Sequence, residues 1–101
     1  MQLEIDLSVF YAKGDERRFF QGLSEISAIK DVRGVGRGLI IQVDIRSLNK
    51  EALRELIALL WRYGISLSPL RVLAENKKFV WLNDVGFYWY KSMFDTHSEI
   101  D

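Results

Sequence analysis

Residues 49–63, NKEALRELIALLWRY, decide how the chain is read, because their start, body and end all follow from local chemistry. Asn49 can cap a helix by accepting from a free N–H of the first turn, and Leu48 and Leu53 stand where a hydrophobic staple forms. Leu53, Leu56, Ile57 and Leu60 recur at i, i+3, i+4 and i+7, giving one apolar stripe with Glu51, Arg54, Glu55 and Arg62 off it. Gly64 suits the left-handed position after the helix, and Leu60 and Ile65 are placed to touch across that cap. The stretch predicts an amphipathic helix of about four turns, whose stripe must be covered by another layer.

Upstream, residues 2–11 alternate, with Leu3, Ile5, Leu7, Val9 and Tyr11 on one side and Gln2, Glu4, Asp6, Ser8 and Phe10 on the other. This is the pattern of a half-buried strand. Gly14 breaks it, Asp15 is positioned as an N-cap, and Phe19, Phe20, Leu23 and Ile26 predict a helix over 15–26, weakened by Gly22. AIKDVR at 28–33 reads as a charge-rich edge strand. RGVGRG at 33–38 supplies three glycines able to take positive φ and predicts a hairpin connection. In the strand after it, Leu39, Ile41, Val43 and Ile45 alternate with Ile40, Gln42, Asp44 and Arg46.

Downstream, Pro69 leads into LRVLA at 70–74, and ENK then reverses direction into KFVWL at 78–82, which predicts a second hairpin. NDVGFYWYKSMF at 83–94 reads as a short final helix capped by Asn83 or Asp84, with Val85, Trp89 and Met93 together, although FYWY also suits a strand. DTHSEID reads as a polar tail.

The expected fold class is α+β, a two-layer ferredoxin-like (βαββαβ) antiparallel sheet with two helices on one face, plus an extra C-terminal strand and a short terminal helix. One domain spans 1–95 and the tail 96–101. In that arrangement the strands at 2–11 and 38–46 are central neighbours. Their uncovered side then carries Glu4, Asp6, Ser8, Phe10, Gln42, Asp44 and Arg46, a net acidic face on a chain whose 14 basic and 14 acidic residues cancel. Such sheets host unrelated activities, so topology alone carries no function.

A neutral chain exerts no global attraction on nucleic acid or an anionic membrane, so a charged partner must be read by a local patch. There is no cysteine, hence no disulfide or thiolate chemistry, and no apolar run near the length of a membrane span. MQLEID alternates instead of forming a secretory signal, so a cytoplasmic protein with no membrane association is expected.

Catalytic chemistry finds little support. The single histidine, His97, sits in the tail, leaving no base for a serine nucleophile and no imidazole metal site. Glu4, Asp6 and Asp44 form the one carboxylate cluster the topology can assemble, and a solvated sheet face is the stronger reading of it than acid–base work or a divalent cation. No catalytic residue, metal or cofactor is expected.

Arg33 and Arg37 flank a glycine loop that can offer N–H groups to an anion, yet phosphate loops of known type need a helix after them, and here a strand follows. RGVGRGLIIQVDI is superficially similar to the ribonucleoprotein segment, but the stacking aromatics are missing and the acidic face repels phosphate, so nucleic acid is disfavoured.

The densest unusual feature is aromatic: Phe79, Trp81, Phe87, Tyr88, Trp89, Tyr90 and Phe94. Four consecutive aromatics cannot all point inward, so some belong to a satellite core and some to a surface of the kind that binds partners. The expectation is a non-catalytic protein-binding module, an inhibitor or immunity-type protein masking a basic partner protein, or a self-associating homodimer. Its partner-binding residues would be Glu4, Asp6, Asp44, Trp81, Tyr88, Trp89 and Tyr90. The alternative is a small-ligand or nucleic-acid binder using Arg33 and Arg37.

Overall fold

The structure is a computed structural model that describes residues 1–7, 10 and 12–94. Ser8, Val9 and Tyr11 of the expected first strand, and the tail 96–101 with His97, lie outside the described residues. The elements run β1 (Gln2–Asp6), α1 (Lys13–Ser24), β2 (Ile29–Val35), β3 (Gly38–Val43) and α2 (Lys50–Arg62). Two 3-10 segments, Ser68–Glu75 and Lys77–Asn83, and a short α3 (Tyr90–Phe94) follow.

The helix expected at 49–63 forms as its chemistry requires. Asn49 Oδ1 accepts from the Ala52 N–H at 2.8 Å, and Leu48 and Leu53 are both buried beside that cap. At the other end Gly64 has φ +69°, the Ile65 N–H reaches the Leu60 carbonyl at 2.9 Å and the Gly64 N–H reaches that of Trp61 at 3.1 Å. This is the Schellman pairing, and Leu60 and Ile65, the residues that usually meet across such a cap, are both buried. α1 starts earlier than expected: Ala12 is its N-cap without a side-chain bond, and Asp15 lies in the first turn, paired with Arg18 at 3.2 Å. Gly22 has a packing reason, because a Cβ there would stand 2.9 Å from a methyl of Leu59 on α2.

The sheet is antiparallel in the order β1-β3-β2. Leu3 and Ile5 of β1 and Leu39, Ile41 and Val43 of β3 are buried in one core with Phe19 and Leu23 of α1 and the stripe of α2. The residues between them face outward, so the helices cover one face only.

Several expectations change at this level. The strands are shorter: β1 ends at Asp6, with Leu7 and Phe10 outside it, and β3 ends at Val43, with Asp44, Ile45 and Arg46 in the turn that follows. The hairpin is tighter than the six-residue loop read from the sequence: β2 runs on to Val35 and only Gly36 and Arg37 turn. Gly36 takes φ +59° and among the described residues no non-glycine residue, Arg37 included, has positive φ, the sign pattern of a type II′ turn. The second hairpin does not form. LRVLA and KFVWL lie in the 3-10 segments, so the fourth strand of a βαββαβ sheet is missing among the described residues and β1 is an edge strand instead of a central one.

The cause is a competing period. Leu67, Leu70, Leu73, Phe79 and Leu82 are buried at multiples of three, while Val72 and Val80, which alternation would bury, are exposed. Residues three apart eclipse on a 3-10 turn, and Pro69 at the start of the first segment presets its φ. The final helix is shorter than expected. Met93 and Trp89 are buried, but Val85 is 74% exposed in the turns before α3.

Candidate functional site

The open face of the sheet is set by register. Glu4, Ile40 and Arg33 stand side by side across β1, β3 and β2, as do Gln2, Gln42 and Asp31. Gln42 Nε2 donates to Gln2 Oε1 at 3.0 Å across the first two strands. β2 adds Asp31 and Arg33 to this face, one charge of each sign, with Ile40 between Arg33 and Glu4, so the face is acidic along β1 and mixed along β2. Phe10, expected on this face, is half-buried and packs its ring 5.6 Å from Phe19 and 5.8 Å from Tyr63.

Asp44 serves the backbone instead of the face. Its carboxylate accepts from Ser47 Oγ at 2.8 Å and from the Arg46 N–H at 3.1 Å, closing the turn that leads to α2. The Ser47 hydroxyl chiefly holds its pKa below the ordinary 3.8, against the opposing effect of desolvation and with help from the Arg46 N–H and Lys30. Glu4, Asp6 and Asp44 are not gathered into one site, and no cluster of three or more ligating side chains suited to a metal occurs among the described residues.

Arg33 and Arg37 are parted by the same register. Arg33 is in mid-strand opposite Ile40 and Arg37 is in the turn. Beside the turn lies a shallow depression of about 230 Å³ that Arg37 shares with Glu4 and Asp6. Carboxylates in the same hollow oppose an anion there.

The aromatic segment is organised around Trp89, which is 2% exposed. Phe87 stacks on it at 4.2 Å between centroids, and Trp81 and Tyr88 meet it edge-on at 5.8 and 5.1 Å. Burial withdraws Trp89 from the surface expected of it. Trp81 is half-buried with the Lys50 ammonium 5.4 Å from its ring centre, and Tyr90 is half-buried against Phe94 at 5.0 Å. The indole N–H groups of Trp81 and Trp89 are buried without a hydrogen-bond acceptor among the described residues.

Tyr88 is different: it is 50% exposed and meets Trp61 edge-on at 5.2 Å, and Trp61 is itself 48% exposed. The pair forms a ridge beside a groove of about 560 Å³, walled by Lys50, Glu51, Arg54 and Glu55 of α2 and by Tyr88. Trp61 was not among the sequence candidates. Its signal was present, since at about 100° per residue it stands roughly 90° from the centre of the 53-56-57-60 stripe.

No helix among the described residues is long and apolar enough to cross a membrane. No protein-family model matches the chain, and no curated protein and no solved structure matches it.

Proposed function

We propose that this chain is a non-catalytic protein-binding module that masks a partner or self-associates through the ridge of Trp61 and Tyr88 and the adjoining charged groove. The observation that carries this reading is the mutual contact of two large, half-exposed aromatics at 5.2 Å. Aromatic anchors bury much area at small entropic cost, and rings already braced against each other lose still less freedom on binding. Lys50, Glu51, Arg54 and Glu55 supply a polar surround of both signs. The anion-binding alternative has weaker support, because Arg33 and Arg37 sit apart and carboxylates share the hollow beside Arg37.

The test is affinity capture from the native cell extract, with sedimentation of the pure chain across concentration and binding kinetics on the complex recovered. Trp61→Ala and Tyr88→Ala should each speed dissociation about 30-fold, the equivalent of a hot spot of about 2 kcal/mol. Stability should change by less than about 1 kcal/mol, as for partly exposed positions. A chain that stays monomeric and captures nothing, or a complex indifferent to both changes, overturns the reading.

A further inference from the structure

Both outer strands of a three-stranded sheet have a free edge, but the two edges here are unlike. β2 is interrupted by an irregularity of register between Ile29 and Asp31 and carries Lys30 there, features that discourage edge pairing. β1 has no bulge, proline or lysine. The Met1 nitrogen donates to the Val43 carbonyl at 2.9 Å, the Val43 N–H donates back to Met1 at 2.7 Å, and the Leu7 N–H reaches Arg37 at 3.2 Å. An antiparallel ladder alternates, so the backbone groups of Leu3 and Ile5 turn toward β3 and those of Gln2, Glu4 and Asp6 turn outward. Among the described residues nothing on the outer side bonds to these groups. Along this edge runs a groove of about 470 Å³ between Gln2, Leu3 and Glu4 and the Pro69, Arg71 and Val72 of the first 3-10 segment.

We propose that the free edge of β1 takes up an extended segment of a partner protein as a fourth strand, and that this segment carries Lys or Arg at alternate positions with apolar residues between them. Charge assigns the cations. Glu4 and Asp6 are exposed on the open face two residues apart, and neither makes an ion pair among the described residues, Arg37 included. Cations on alternate positions of an added strand fall beside them, where opposite charges across strands attract. On the covered side Leu3, Pro69 and Val72 offer apolar contact, and Arg71 opposes a cation, so the segment must alternate. A second copy fits poorly. Antiparallel self-pairing over all of β1 sets Glu4 opposite Glu4 of the other copy, with Asp6 from each copy on the same face. This surface shares no residue with the aromatic ridge, so the two readings stand or fall separately.

The probe is a blocked Val-Lys-Val-Lys-Val-Lys-Val peptide titrated into isotope-labelled protein at low salt, followed by amide NMR and hydrogen exchange. At saturation, exchange of the outward amides of Glu4 and Asp6 should slow at least about tenfold, as expected for amides newly paired in a sheet. A peptide with Glu in place of Lys should bind at least about tenfold more weakly, and the exposed double variant Glu4→Lys/Asp6→Lys should reverse that preference. N-methylation of alternate peptide bonds should abolish binding if the backbone pairs. The proposal is overturned if these amides stay unchanged up to millimolar peptide, or if shifts appear only around Trp61 and Tyr88. It is overturned equally if the double variant still prefers the Lys peptide, or if the chain dimerises and the variant abolishes the dimer, which makes a second copy the occupant.

Discussion

The described residues of 1–64 and residues 65–94 bury side chains about equally but close their backbones differently. Among the described residues of the first region, strand ladders and two α-helices satisfy most of the main chain, with side chains closing the start of α2 and the Asp44 turn before it. In the second, side chains hold short turns, Asn76 accepting from the Lys78 N–H at 2.9 Å and Asp84 from the Gly86 N–H at 2.8 Å, and Ser92 of α3 reaches back to accept from the Leu67 N–H at 3.3 Å. Yet Leu67, Leu70, Leu73, Phe79, Leu82, Trp89 and Met93 join the same core as the sheet and helices. A region whose backbone bonds run mostly as short 3-10 turns, with poorer geometry than a ladder or an α-helix, depends more on the surface it packs against. The second region is thus a cover built onto the first, and it occupies the sequence that a fourth strand would have used.

The strongest way to break that comparison is to cut into the shared core from both sides. Trp89→Ala should cost about 3–5 kcal/mol and Leu60→Ala about 2–5 kcal/mol, the usual range for large buried side chains. Because the core is continuous, both losses should appear in one cooperative transition with coincident far-UV and near-UV signals. If Trp89→Ala erases the near-UV signal and leaves the far-UV midpoint in place, the second region is an independent satellite. Trp89→Phe sharpens the test by removing a buried N–H that has no acceptor among the described residues, and so should cost less than Trp89→Ala.

Caps give the next effect. Asn49→Ala should destabilise by about 1 kcal/mol in urea unfolding, since it exposes the start of a helix that carries the main apolar stripe. Asn76→Ala removes the same kind of bond from a 3-10 turn, and with fewer residues depending on it the loss should be smaller. Equal losses would show that the turns of the second region are as cooperative as α2.

These differences explain what the residues disclosed in advance. α2 was legible from cap to cap because Asn49, the 53-56-57-60 stripe and Gly64 all pointed the same way. β1 and β3 were legible because alternation with one covered face admits one register. The 3-10 segments were misread as strands because LRVLA and KFVWL satisfy period two and period three together. Only the longer row from Leu67 to Leu82 separates them, and Asn76 interrupts that row. The exposed ridge was half legible: crowding required some aromatics to face outward, but which ones depended on the turn at 84–89 and on a contact with Trp61 from α2.

The smallest expected effect compares the turn at Asp44, which opens α2, with the turn at Asp84, which precedes the aromatic segment. Asp44 accepts from both Ser47 Oγ and the Arg46 N–H, and the Ser47 bond is the main reason its pKa lies below 3.8 in the folded chain. A carboxyl with a lowered folded pKa stabilises the fold fully above its unfolded value, and that contribution fades as the pH falls below 3.8 through the folded pKa. Ser47→Ala returns the carboxyl toward its ordinary value, so wild type and variant should differ most near neutrality and converge in acid. The measurement is a pair of urea titrations at about pH 7 and about pH 3, placed on either side of the ordinary carboxylate range. A gap that keeps its size at the lower pH would mean that Ser47 acts through its own turn bonds and not through the charge on Asp44. Among the described residues Asp84 accepts from the Gly86 N–H and from no hydroxyl, so replacing it with Asn keeps its acceptor and should leave stability nearly unchanged.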